Sequence, residues 1–140
     1  MIRKLDHIAV AVANVEDAAR FYEDVLGLTL AGIEAVAGQK ARVGFLRLGE
    51  TRIELVEPSG PDSPLARFLD TRGPGLHHIC LEVDDLEKEI EAFLEKGASM
   101  IDRAPRTGAH GARVAFVHPK SSGGVLIELY EPSTSIKEVG

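Results

Sequence analysis

The sequence has a single cysteine and no tryptophan, and aromatic side chains make up only 5% of its 140 residues. A lone Cys80 excludes an internal disulfide and agrees with a reducing compartment. No segment approaches the run of about 18 apolar residues that a membrane span needs, so no membrane partner is expected. The opening MIRKLDHIAV moves straight into a strand pattern, without an apolar leader core or a small-residue cleavage site, and a cytoplasmic location is the expectation. Basic residues are outnumbered, 16 against 22 acidic, and the net charge of −6 disfavours nucleic acid and anionic membranes as partners. An anionic ligand would need a local basic patch. At 44% apolar and 27% charged, the chain reads as one ordinary globular domain with a core of its own.

What the sequence does contain is a repeat. A shift of 71 residues lays HIAVAV (7 to 12) on HICLEV (78 to 83), and the same shift lays ARVGFL (41 to 46) on ARVAFV (112 to 117). A shift of 74 lays IELVEPS (53 to 59) on IELYEPS (127 to 133), the three extra residues falling in the turn HPKSSGG. The halves are therefore about 2 to 59 and 75 to 133, with 60 to 74 as linker. In each half a strand is followed by a helix that Asn14 or Asp84 can cap, with apolar residues at helical spacing: Val15, Ala18, Ala19, Tyr22, Val25 and Leu26, then Leu86, Ile90, Phe93 and Leu94. Gly27 and Gly97 end these helices. Three extended segments follow, near 28 to 36, 41 to 48 and 51 to 57, then 98 to 103, 112 to 118 and 124 to 131. The unit is βαβββ, written twice. Ser63 before Pro64 starts a further short helix in the linker.

Alternate residues of a strand face opposite sides. Ile8, Val10 and Val12 form a bulky apolar face, which leaves His7 with Ala9 and Ala11 on the other; in the second copy Ile79, Leu81 and Val83 leave His78 with Cys80 and Glu82. Parity selects His78 and puts its neighbour His77 on the packed side. Glu54 lies between Ile53 and Leu55, and Glu128 between Ile127 and Leu129, on the matching faces of the last strands. An ionised acid in an apolar strand costs several kcal/mol unless it is paired or holds a cation. His7, Glu54, His78 and Glu128 would converge if the halves form one curved sheet about a pseudo-twofold axis, and two imidazoles with two carboxylates suit a divalent metal. A strand histidine is also commonly a satisfied or exposed residue, a strand glutamate is commonly solvated, and duplication repeats any residue whether functional or not.

The two halves and these four residues resemble the vicinal oxygen chelate superfamily, in which paired βαβββ modules form a curved mixed-sheet cup around a divalent metal. Within it, LDHIAVAV, ELVEPSGPDSPLARFL, GLHHICLEVDDLE and GAHGARVAFVHPKSSGGVLIEL are similar to the methylmalonyl-CoA epimerase family. The resemblance covers essentially the whole chain and implies an α+β fold in a single domain of two modules. It implies His7, His78 and Glu128 as metal ligands, with Glu54 as the fourth, and Co²⁺ as the metal, although Ni²⁺, Mn²⁺ or Zn²⁺ suits the same donors. It also implies an acyl-CoA thioester as substrate, interconversion of the two epimers through a chelated enolate, and Glu128 as the base that removes the α-proton. Return of a proton to the opposite face calls for a second group. Some relatives carry a glutamate on the third strand of the first half, where this chain has Val43, so Glu54 becomes the candidate. Superfamily members are commonly dimers, and a homodimer is the expectation.

Further residues carry smaller expectations. His110 lies in a Gly-flanked loop able to fold over substrate or simply to turn; His118 and Lys120 fit a structural turn or a substrate contact. Arg103, Arg106, Arg113 and Lys120 are candidates for CoA phosphates, and Cys80 is expected to be packed. Glyoxalase I (lactoylglutathione lyase) is the nearest alternative, since its bacterial members resemble this chain in the same His, Glu, His, Glu set. An extradiol dioxygenase would use two histidines and one glutamate, and Glu54 would close a position that oxygen needs. A small-molecule-binding member without catalysis would need no four-ligand set and commonly lines its groove with aromatics, which are scarce here.

Overall fold

The computed structural model describes residues 1 to 133. They fall into two compact units, one running from His7 to His77, the other combining Met1–Asp6 with the chain from His78 onward. Strands β1 (Ile2–Ala11) and β5 (Gly75–Val83) each cross a division: β1 is shared evenly between the units, and β5 gives most of its length to the later one. The early residues of β1 join the later unit through charge: Arg3 Nε stands 3.9 Å from Glu82 Oε2, and the amino group of Met1 contacts Asp84 and Glu89.

In the first unit β1 is followed by α1 (Val15–Arg20), then by β2 (Leu30–Val36), β3 (Ala41–Leu48) and β4 (Thr51–Pro58). The last three form an antiparallel meander, and β1 lies parallel to β4, which gives the order β2, β3, β4, β1. Asn14 starts α1 by accepting the amide of Asp17 at 2.8 Å. The helix packs Val15 and Ala19 onto Val12, Leu46 and Leu55. Gly44 permits that approach, because a Cβ there would stand 2.5 Å from Val15 Cγ1. Residues Phe21–Val25 widen into a π-helical turn, and Val25 and Leu26, expected on the buried face, are exposed. The wider turn explains this, since it carries later residues off the 3.6-residue stripe. Ser63 caps α2 (Pro64–Arg72) by accepting the amide of Leu65, as Ser-Pro predicts, and α2 packs against β4.

The later unit repeats the plan with β5, α3 (Leu86–Glu95), β6 (Arg106–Thr107), β7 (Arg113–Val117) and β8 (Ile127–Glu131), in the order β5, β8, β7, β6. Leu86 and Ile90 cover Val83, Ala115, Val117 and Leu129. Each fully buried leucine of the two cores contributes about 1.5–3 kcal/mol. Asp85 rather than Asp84 caps α3, accepting the amide of Lys88. The strand expected over 98 to 103 is absent: Met100 makes only a bridge to Val117, and the paired strand comes later, at β6. Its ladder is replaced by Asp102, whose Oδ2 accepts the Phe116 amide at 2.9 Å while the amides of Ile101 and Asp102 both reach the Phe116 carbonyl. Among the described residues no helix is long and apolar enough to cross a membrane.

Candidate metal centre

Parallel pairing of β1 with β4 sets Ala9 beside Glu54. His7, two residues before Ala9, therefore shares its face, and His7 Nδ1 stands 3.0 Å from Glu54 Oε2 with both side chains buried. The later unit repeats the construction. Cys80 is the register partner of Glu128, His78 lies two residues earlier, and His78 Nε2 is 3.0 Å from Glu128 Oε1. The relative exposures are 3% for His7, 5% for Glu54, 8% for His78 and 4% for Glu128, so none of the four is a solvated surface residue. His77, on the opposite parity, packs edge-on against Phe68 of α2 at 4.9 Å.

The donor set fits a divalent cation. Neighbouring donors about 2.1 Å from an octahedral ion stand about 3.0 Å apart, which is the separation within each His–Glu pair. Borderline nitrogen donors with hard carboxylate oxygens match Co²⁺, Ni²⁺, Mn²⁺ or Zn²⁺ better than an all-oxygen calcium cage.

Two aromatic residues complete the duplicated pattern. Phe45 is the register partner of Glu54 and Phe116 that of Glu128. They lie at the same offset of 71 residues inside the matched strings ARVGFL and ARVAFV, the signal by which sequence reasoning could have found them. The His78 and Phe116 rings meet edge to face at 5.5 Å. Arg52 is a residue the sequence reading missed. Its Nε donates to Glu54 Oε2 at 2.7 Å and its guanidinium lies 5.6 Å from the Phe45 centroid. Spacing by two from Glu54 puts it on the same face, but nothing in the sequence shows that it grips the carboxylate.

The remaining candidates separate by position. Val43 is buried, directly opposite Val56 and Glu34 in register. His118 is a turn residue: its Nδ1 accepts the amide of Lys120 and caps Pro119–Ser121. His110 is exposed and adopts a left-handed backbone conformation at φ 57°. Cys80 is fully buried with Ala112, Val114 and Tyr130, the packed role expected of it. Arg113 leaves the set of phosphate candidates, because Glu131 holds it at 3.1 Å and Glu87 also contacts it; these carboxylates raise its guanidinium pKa further.

Comparison with known proteins identifies the family. Residues 6–116 match the model of the Glyoxalase/Bleomycin resistance protein/Dioxygenase superfamily, and the chain belongs to that superfamily. It is 44% identical to an uncharacterized protein of Bacillus subtilis, YqjC, over 94% of each chain. It is 40% identical to the ethylmalonyl-CoA/methylmalonyl-CoA epimerase of Cereibacter sphaeroides, over 92% of this chain and 98% of that one. The crystal structure of methylmalonyl-CoA epimerase from Mycobacterium tuberculosis superposes with a TM-score of 0.92 at 34% identity, covering 98% of this chain and 93% of that one. Within the superfamily, then, the chain is a member of the methylmalonyl-CoA epimerase family of enzymes, and the expected α+β fold of two βαβββ modules is met.

Proposed function

We propose that the chain epimerises methylmalonyl-CoA, with His7, Glu54, His78 and Glu128 as the ligands of one divalent metal. The observation that carries this reading is the duplicated buried pair, a histidine and a glutamate 3.0 Å apart on the non-helical face of each unit, in a chain 40% identical to a named epimerase. The metal, Co²⁺ by family resemblance, would supply Lewis-acid stabilisation of the negative charge that develops when the α-proton leaves.

The residues divide the remaining work. Glu128 as carboxylate takes the α-proton from one face of the acyl group, and Glu54 in its protonated form delivers one to the other; Glu128 then loses its proton to solvent and Glu54 regains one, so that the net reaction only inverts the α-carbon. Arg52 donates to Glu54 Oε2, which fixes that carboxylate in one orientation. The two modules act as one domain, a homodimer in a cytoplasmic setting is the working form, and nucleic acid and membrane are not partners.

The test is NMR of methylmalonyl-CoA in D₂O with chelator-treated protein, before and after Co²⁺. Metal-dependent exchange of the α-proton with interconversion of the epimers is expected. Absence of exchange with Co²⁺, Ni²⁺, Mn²⁺ and Zn²⁺ would overturn the reading, and the hemithioacetal of methylglyoxal and glutathione would then be the substrate to try.

A further inference from the structure

On the face of the later unit that carries His78 and Glu128, the outermost strand presents a cation. Arg106 of β6 is the register partner of Val114, and Val114, Phe116 and Glu128 share that face. The Arg106 guanidinium lies 5.3 Å from the centroid of Phe116, the ring that His78 meets at 5.5 Å. A single phenyl ring thus stands between a metal-ligand candidate and a permanent positive charge.

The arginine is held in place from behind. Asp102 Oδ1 lies 3.4 Å from Arg106 Nε, while the other oxygen of the same carboxylate accepts the Phe116 amide. The anchor engages the inner nitrogen of the guanidinium, and the side chain remains 41% exposed. Among the described residues no hydrogen bond is made by its two terminal amino groups. Such a fork on an aromatic platform matches the geometry of an anionic oxygen pair. The duplication did not supply this charge, because the residue opposite Val43 at the equivalent place of the first unit is an acid, Glu34. Of the basic residues considered for ligand binding, Arg113 is consumed by Glu87 and Glu131.

The geometry points to Arg106 as the residue that reads the negative charge of the acyl-CoA substrate, a specificity determinant distinct from the four metal-ligand candidates. The inference rests on one part of the epimerase reading, the acyl-CoA thioester as ligand. The charge it meets is an anionic oxygen group, either the carboxylate of the malonyl unit or a phosphate of CoA.

Calorimetric titration of the cobalt-loaded protein tests it, with malonyl-CoA, propionyl-CoA, which lacks the carboxylate, and the malonyl thioester of N-acetylcysteamine, which lacks the phosphates. In Arg106→Met, binding is expected to weaken about 10- to 100-fold for each thioester carrying the recognised anion, and Arg106→Lys is expected to recover part of that loss. A loss on both malonyl thioesters, with propionyl-CoA unaffected, assigns the carboxylate; a loss confined to the two CoA thioesters assigns a phosphate. Unchanged binding of all three, or no binding by the wild type, overturns the inference. Wild-type binding without α-proton exchange would instead overturn the epimerase reading and leave the assignment of Arg106 standing.

Discussion

Arg42 on β3 and Glu57 on β4 are register partners whose charges meet twice, at 2.9 and 3.0 Å. The same guanidinium reaches Glu16 in the first turn of α1 at 2.7 Å, and Glu57 also accepts the amide of Val15 at 2.8 Å. The other unit repeats the clamp with Arg113, Glu131 and Glu87. Each clamp ties the start of a helix to the strands beneath it. Arg42 holds the Glu16 carboxyl below its ordinary value of 4.5, so the contribution of this pair is present above pH 4.5 and is lost as pH falls through the depressed value. Glu16 is solvent-facing, which keeps the effect small and sensitive to salt. Thermal melts of wild type and Glu16→Gln from pH 7 to pH 3 should differ slightly at neutral pH in low salt and converge in acid. A gap that grows on acidification would contradict the assignment.

Gly44 faces α1 where the other half of the repeat has Ala115. A methyl group at Gly44 would lie 2.5 Å from Val15 Cγ1 and 3.3 Å from Leu30 Cδ1, so the Val15 side chain, or the helix that carries it, must move. Gly44→Ala should therefore destabilise the fold by about 1–3 kcal/mol, the usual range for overpacking, even though alanine suits a strand better than glycine. Urea unfolding measures this directly. A neutral or stabilising result would mean that α1 can shift without loss.

A metal held by the native fold and not by the unfolded chain must stabilise it. At a free Co²⁺ concentration 100 times the dissociation constant the gain is about 2.7 kcal/mol. Chelator-treated protein should melt at a higher temperature after addition of Co²⁺, and His7→Ala and His78→Ala should each lose most of that rise. This readout is independent of turnover. A melting temperature indifferent to all four candidate metals would argue that the His–Glu pairs are only buried hydrogen bonds.

Much of this architecture was legible because strand parity is rigid. With Ile8, Val10 and Val12 on one face, His7 must take the other, and the duplicated string sets His78 in the same way. The caps at Asn14 and Ser63 were readable from local side-chain chemistry. What escaped was tertiary. The π-helical turn at Phe21–Val25 leaves no periodic signature, so Val25 and Leu26 read as core. Asp102 displaced an expected strand because a carboxylate fourteen residues away took the Phe116 amide. The grip of Arg52 on Glu54 likewise depends on a rotamer that spacing does not reveal.

Glu128 offers the sharpest chemical test. Its carboxylate is buried on an apolar strand and lies 3.0 Å from His78 Nε2, opposite Phe116 in the sheet. Glu128→Gln keeps the volume and an oxygen acceptor but cannot take a proton, so stability should change little while exchange of the epimer whose α-proton faces Glu128 falls by about 10²- to 10⁴-fold, the usual worth of a positioned general base. Glu54→Gln should separate the two roles. If Glu54 only holds metal, the variant loses cobalt affinity and regains exchange at saturating Co²⁺. If Glu54 also returns the proton, exchange from one epimer in D₂O survives while interconversion of the epimers is lost. Full activity of Glu128→Gln would remove it as the base and pass that role to another carboxylate.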